Sequence, residues 1–186
     1  MTDPSPAFRI EPAGPSDILK LIEIDKAASR LFEPTGLLSA EALADHVPAE
    51  TFEWAMRHEL LDVARLHDGA PVGFTLVSGR GGGLYLDQIS VHPAHGKKGI
   101  GRALMKHIIQ KAHESGLPEV TLSTFRDLPW NGPFYASLGF SPLPRKDMEP
   151  FMHEIESLQA RSMDVTQRIF MRKRVRRHVF RVRRQA

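Results

Sequence analysis

The chain has 186 residues, 41% apolar and 25% charged, which suits one globular domain able to fold without covalent staples. It has no cysteine and no apolar run near the ~18 residues of a membrane span, so disulfides, thiolate zinc sites, a cysteine nucleophile and a spanning helix are excluded. The net charge of +3 is unevenly spread: residues 172–184 hold eight of the 25 Lys and Arg and no acid, leaving 17 bases against 22 acids elsewhere.

A strand is predicted from Ala7 to Glu11, ended by Pro12, Gly14 and Pro15. Ser16 reads as the N-cap of a helix whose apolar stripe takes in Ile18, Leu21, Ile22 and residues 24–31, until Glu33-Pro34-Thr35-Gly36 breaks it. A second helical stretch follows Ser39, with Glu41 suited to its positive end. Pro48 interrupts it, and residues 50–58 supply further helical turns. From Leu60 two alternating runs joined by Asp68-Gly69 predict a hairpin with a two-residue turn. The flexible stretch Ser78 to Gly83 leads to a strong strand, Leu84 to Val91. Residues 99–115 place Ile100, Leu104, Ile108 and Ala112 on one helical face. A strand over Glu119 to Thr124, helices over 133–138 and 150–161, and a strand over Gln167 to Arg172 complete a mixed α/β sheet protein.

The stretch from Ile89 to Leu104 carries the chemistry. A strand passes through a turn containing Gly96, Gly99 and Gly101 straight into a helix. The first N–H groups of a helix have no partner inside it, and the macrodipole makes them partly positive. Lys97, Lys98 and Arg102 add full charges. The sum is an anion site suited to phosphate or pyrophosphate. A P-loop needs Ser or Thr where Gly99 stands, and a Rossmann turn needs Gly or Ala at Leu104.

The turn resembles the acyl-CoA-binding motif of the GNAT superfamily of N-acyltransferases, Q/R-x-x-G-x-G/A after a strand ending Val-x-Pro. Asn131-Gly132-Pro133-Phe134-Tyr135 with Leu138-Gly139-Phe140 resembles the superfamily's C-terminal motif. The chain departs from the first pattern at Gly96, where the family has Gln or Arg. The resemblance implies a mixed α/β (α+β) fold, mostly antiparallel, with a splayed central strand pair flanked by helices. It assigns residues 8–172 to the domain and 173–186 to a basic tail. It also implies an acetyl-CoA-dependent N-acetyltransferase that uses no metal and acts by direct attack of a small-molecule or peptide amine in a ternary complex.

By that likeness the backbone of Ile89 and Val91 bonds the pantetheine amides, and the N–H of Ile89 faces the thioester carbonyl. Gly96, Lys97, Lys98, Gly99, Ile100, Gly101 and Arg102 wrap the pyrophosphate, Asn131 contacts the pantetheine arm, and Phe134 packs alongside. Tyr135 is the general acid. For the base, Asp87 shares strand parity with Ile89 and Val91, and Glu33 follows the first helix; water chains are the third choice. Plainer readings are a helix cap for Asn131, core packing for Tyr135 and Trp130, and solvated acids for Asp87 and Glu33. His92 and His95 lack a carboxylate partner for a metal site. Nucleic-acid binding by the tail is not favoured, although its apolar positions could dock on a second copy of the chain. The N-terminal MTDPSPAFRI lacks the profile of a secretory leader, so a cytoplasmic protein is expected. The alternative class is a non-catalytic CoA-binding module whose tail recruits nucleic acid or an acidic partner.

Overall fold

The computed structural model describes residues 8–175. Seven strands form one sheet in the order β1-β2-β3-β4-β5-β7-β6. They are β1 (Phe8–Pro12), β2 (Leu61–Leu66), β3 (Pro71–Arg80), β4 (Gly83–Val91), β5 (Glu119–Phe125), β6 (Ser141–Pro142) and β7 (Arg168–Arg174). Neighbours are antiparallel except β4 and β5, so the sheet is mixed and mostly antiparallel as expected. The helices are α1 (Ile18–Ser29), α2 (Ala40–Ala44), α3 (Ala49–Arg57), α4 (Ile100–Glu114), α5 (Gly132–Ala136) and α6 (Pro150–Gln159). Among the described residues no helix is long and apolar enough to cross a membrane.

Each face of the sheet buries its own apolar layer. On one, Met105 and Ile108 of α4 and Tyr135 of α5 pack on Leu84, Leu86, Val120 and Leu122. On the other, Leu21 and Ile24 of α1 and Phe52 of α3 pack on Val63, Phe74 and Leu76. Beside them, Met152 of α6 packs on Tyr85 and Phe170.

Several boundaries differ from expectation for local reasons. A 3-10 turn (Pro15–Asp17) precedes α1, and the Asp17 carboxylate, rather than Ser16, anchors it by accepting the Gly14 N–H at 2.8 Å. Ser39 caps α2 as expected, accepting from the Ala42 N–H. Asp68-Gly69 sits in a longer loop, because Leu66 N–H bonds the Ala70 carbonyl and Asp68 Oδ1 accepts the Ala70 N–H. The true two-residue turn is Gly81-Gly82, both at positive φ (58° and 74°) between the paired Arg80 and Gly83. Strand β7 continues past the expected boundary at 172 to Arg174, where Lys173 Nζ donates to the Leu138 carbonyl. Ala7 and residues 176–186, most of the expected tail, lie outside the described residues.

Partly buried ion pairs tie the layers together. Arg65 of β2 bonds Asp17 through both Nη atoms and Glu11 through Nε, locking β1 and the turn before α1. Asp62, also on β2, takes Lys111 Nζ at 2.9 Å and lies 3.4 Å from His107 Nε2, which fixes α4 on the sheet. Burial pushes the Asp62 carboxyl up, but these two partners outweigh it and hold the group below its ordinary range. With the folded value depressed, its stabilisation is full above the ordinary carboxylate pKa and drains as pH falls through the folded value. Asp62→Ala is therefore expected to cost about 2 kcal/mol at pH 7, and urea titrations should find the gap from the parent shrinking by pH 3.

Candidate functional site

The sheet opens where β4 and β5 part. These parallel strands pair only at Leu84–Val120, Tyr85–Thr121 and Leu86–Leu122. Just beyond, the register of β4 against β3 jumps from Leu86 to Gln88, leaving Asp87 as the extra residue of a β-bulge. A bulge bends and twists its strand, and here it carries residues 87–91 away from β5. Asp25, buried in α1, holds the diverging arm: its Oδ1 accepts Gln88 Nε2 and Ser90 Oγ, both at 2.7 Å, and its Oδ2 accepts the Val47 N–H.

The arm presents backbone as well as side chains. His92 N–H bonds the Val72 carbonyl, and bonded pairs alternate along an antiparallel ladder. Ile89 and Val91 consequently turn their N–H and C=O groups away from β3, toward the gap. The gap is the floor of a cavity of about 1250 Å³ that runs from the residue 95–102 turn to Gln159 and Arg168.

At one end of this cavity the turn before α4 gathers unpaired amides. Lys97 (φ 59°) and Gly99 (φ 81°) are both in the left-handed region, between the extended Gly96 and the helical Ile100. Successive amides then converge rather than alternate. Among the described residues the N–H groups of residues 97–102 have no hydrogen-bond acceptor, whereas the Gly96 N–H is spent on the Pro93 carbonyl. Gly96 lines the cavity as expected of it, but its amide is already paired inside the turn. Lys98 also departs from expectation, since its Nζ reaches back to the Ala94 carbonyl at 3.3 Å and it does not line the cavity. Lys97 and Arg102 do line it, with Arg102 steadied by Ser137 Oγ at 2.9 Å. His92 Nδ1 accepts the Ala94 N–H, capping the short turn Pro93–His95.

Across the gap, Asn131 opens α5 but makes no side-chain cap. Its Nδ2 donates to Thr124 Oγ1 at 2.8 Å, and its Oδ1 is buried without a donor. The next residue must be glycine, because a Cβ at Gly132 would run into the Arg126 carbonyl oxygen. Phe134 stacks edge-on against Tyr135, with centroids 5.1 Å apart. Tyr135 is 5% exposed yet lines the cavity, and burial raises its phenol well above the ordinary range.

The same cavity continues on the other face of the gap. Asp87 lines it, but not by the parity expected from the sequence: the bulge puts Asp87 on the side of Tyr85, while Ile89 and Val91 pack toward α4. Burial raises the Asp87 carboxyl, against smaller opposing effects from Ser78 and Arg80, and its Oδ2 has no partner. Glu33 is not brought to the site. It is exposed on the 3-10 turn Arg30–Thr35 and does not line the cavity, whereas its neighbour Phe32 does. Phe32, Phe125 and Trp130 form an aromatic wall with centroids 5.6 and 6.2 Å from Phe32. Sequence reading missed Asp25, Tyr85 and Arg168. Asp25 had a signal, an acid in the apolar stripe four residues after Leu21; Arg168 had none beyond strand alternation.

A family model described as Acetyltransferase (GNAT) family matches residues 23–140. Among solved structures, the chain is similar to N-acetylglutamate synthase from Neisseria gonorrhoeae, complexed with coenzyme A and N-acetyl-glutamate (TM-score 0.68, 20% identity). That match covers 91% of this chain but only 35% of the synthase, so the chain spans a minor part of that protein's length. The PaiA N-acetyltransferase from Thermoplasma acidophilum, in complex with coenzyme A, gives TM-score 0.71 at 17% identity over 90% of this chain and 98% of that one. The ribosomal-protein-S18-alanine N-acetyltransferase from Escherichia coli gives 0.64 at 18%, over 90% and 94%. At these identities the likenesses speak for the fold.

The Asn131 loop allows a test that needs no ligand. Gly132→Ala must displace backbone at Arg126 and should lose about 2 kcal/mol, read by urea denaturation; an unchanged midpoint would mean the loop is not held as described.

Proposed function

The chain belongs to the acetyltransferase (GNAT) family, and we propose that it moves an acetyl group from acetyl-CoA to a primary amine by direct attack. The observation that carries this reading is the run of unpaired N–H groups at residues 97–102, across the gap from the orphaned Asn131 Oδ1. A diphosphate supplies acceptors for the first, and an amide-bearing arm supplies a donor for the second. Acetyl-CoA has both, and when bound it supplies a thioester-activated acetyl group. The amides of Lys97, Gly99, Ile100, Gly101 and Arg102 hold the diphosphate, with the Lys97 and Arg102 side chains adding charge. The backbone of Ile89 and Val91 and the side chains of Asn131 and Phe134 hold the arm. The Ile89 N–H is the donor for charge developing on the thioester oxygen.

Two side chains manage protons. An amine of pKa ~10.4 is almost wholly protonated at neutrality and cannot attack. Asp87, a half-buried carboxylate whose Oδ1 lies 3.9 Å from Arg80 Nη2 and whose Oδ2 lacks a hydrogen-bond partner, takes that proton as general base. Tyr135 keeps its proton because burial disfavours the phenolate, and it gives that proton to the departing thiolate. The acceptor enters from the chamber lined by Phe32, Trp130 and Gln159.

The reading is tested by calorimetry with CoA and by thiol release from acetyl-CoA over a panel of amines. Heat without thiol release from any amine would favour the non-catalytic CoA-binding module. Tyr135→Phe should lower kcat about 10²-fold while leaving the Kd for CoA within about twofold; equal turnover would remove Tyr135 from the chemistry.

Asp87→Asn should abolish the acidic limb of the kcat/KM profile, which in the parent lies above the ordinary Asp value of ~3.9. The sign on stability is opposite to that of Asp62. The fold binds the Asp87 proton more tightly than the unfolded chain does, so this contribution is full below the unfolded pKa and is lost as pH rises through the folded value. At pH 7 the Asn variant should melt no lower than the parent. A retained limb, or a clear drop in Tm, would reject the assignment.

A further inference from the structure

Arg168 stands out in the acceptor chamber. It is the first residue of β7 and shares with Tyr85 the sheet face opposite α4. Its Nε donates to Ser123 Oγ at 3.2 Å and its Nη2 to the Ser123 carbonyl at 2.9 Å. Its guanidinium carbon lies 4.8 Å over the Phe125 ring. All three partners are neutral, and no ion pair among the described residues includes Arg168. Nη1 makes no hydrogen bond to a described residue. Withdrawing a guanidinium from water is costly unless an anion accompanies it, and burial already works against the charge here.

Its surroundings define what such an anion belongs to. Ser123 is the first residue of β5 beyond the pairing with β4, so Arg168 is tethered where the gap opens. Gln159 of α6 turns its Oε1 to Ser123 Oγ at 3.1 Å, leaving its amide NH2 as a second donor beside Arg168. The diphosphate cradle is at the other end, and the remaining Lys and Arg that line the cavity, Lys97 and Arg102, belong to it. Tyr85, the proposed base Asp87 and Arg168 line this half together, and Asp87 has Arg80 3.9 Å from its Oδ1. The other ionisable groups lining this half are Asp25, whose carboxylate already takes three donors, and Asp45 and His46 at the far rim after α2.

We infer that Arg168 is the substrate-binding residue that selects an acceptor amine carrying its own carboxylate, with the amine toward Asp87 and the carboxylate on Arg168 and Gln159. This rests on the acetyl-transfer reading above and names its substrate class. The planar guanidinium suits a carboxylate better than a point cation does.

The test uses the full chain and thiol release from acetyl-CoA. The acceptors are free L-amino acids, the same amino acids as C-terminal carboxamides, and short amidated peptides with Asp or Glu at the second position. Each is run with the parent, Arg168→Met and Arg168→Lys. In the parent, kcat/KM for at least one carboxylate-bearing acceptor should exceed that for its uncharged counterpart by roughly 30-fold or more. In Arg168→Met that ratio should collapse toward one, and Arg168→Lys should restore part of it. Preference for the free amino acid or for the acidic peptide identifies the source of the carboxylate, and either supports the inference. Carboxamides used as well as acids by the parent, or a loss in Arg168→Met that is equal for both, overturns it. Calorimetry with CoA on the same proteins separates the two levels. Normal CoA binding with no carboxylate preference defeats this inference alone, and no CoA binding by the parent defeats the acetyl-transfer reading. If Arg168→Met does not fold, the parent's acid-to-amide ratio and Arg168→Lys still decide.

Discussion

A parallel strand pair that stops after three residues leaves backbone polar groups facing each other across a gap too wide to bridge. Buried N–H and C=O groups left alone are expensive, so an opening of this kind persists only if something else stabilises it or fills it. In this chain the bulge at Asp87 starts the divergence, and the bonds of Asp25 to Gln88 and Ser90 keep the arm from closing. Gly132 lets the α5 loop press against Arg126 on the far side. Unsatisfied groups at residues 97 and 99–102, at Asp87 Oδ2 and at Asn131 Oδ1 border the same space. The proposed chemistry follows from that convergence.

The two sides of the opening differ in character. The α4 side offers backbone donors and surface cations, which do not depend on one residue's identity. That is why Gly96, standing where the family has Gln or Arg, need not abolish the cradle. The α1 and α6 side offers individual side chains: Asp87, Tyr85, Gln159, Arg168 and the aromatic wall of Phe32, Phe125 and Trp130. Leu38 and Met163, joined by an isolated bridge, bring the segment before α2 against the loop after α6 and border the chamber. On the proposed reading, a cofactor half fixed by backbone and an acceptor half fixed by side chains leave specificity open to change without disturbing the fold.

What could be read from the sequence tracks how local each cause is. The glycines at 96, 99 and 101 and the motif at 131–140 were legible because turn conformations and helix starts are decided over a few residues. The strands and α4 were legible from their periods. The bulge was not, because strict alternation assumes an uninterrupted pleat, and so Asp87 reaches the cavity from the face of Tyr85 rather than that of Ile89 and Val91. Glu33 was drawn in by adjacency along the chain, yet the 3-10 turn points Phe32 inward and leaves Glu33 in solvent. Arg168 and Asp25 act across 45 and 63 residues of sequence, on Ser123 and Gln88, and pairings of that range leave no local trace. The start of the basic run looked like a tail but supplies edge contacts, Arg172 toward Glu119 and Lys173 toward Leu138.

The claim beneath all of this is that the amides of residues 97–102 receive the diphosphate. Backbone amide spectra of the isotope-labelled chain, titrated with CoA and separately with pantetheine, address it at the atoms concerned. The account predicts that CoA moves the resonances of residues 97–102 strongly while pantetheine, which lacks the diphosphate, moves those of Ile89, Val91 and Asn131 and leaves the turn nearly still. Saturable CoA binding that shifts other amides and leaves those of residues 97–102 in place would contradict it.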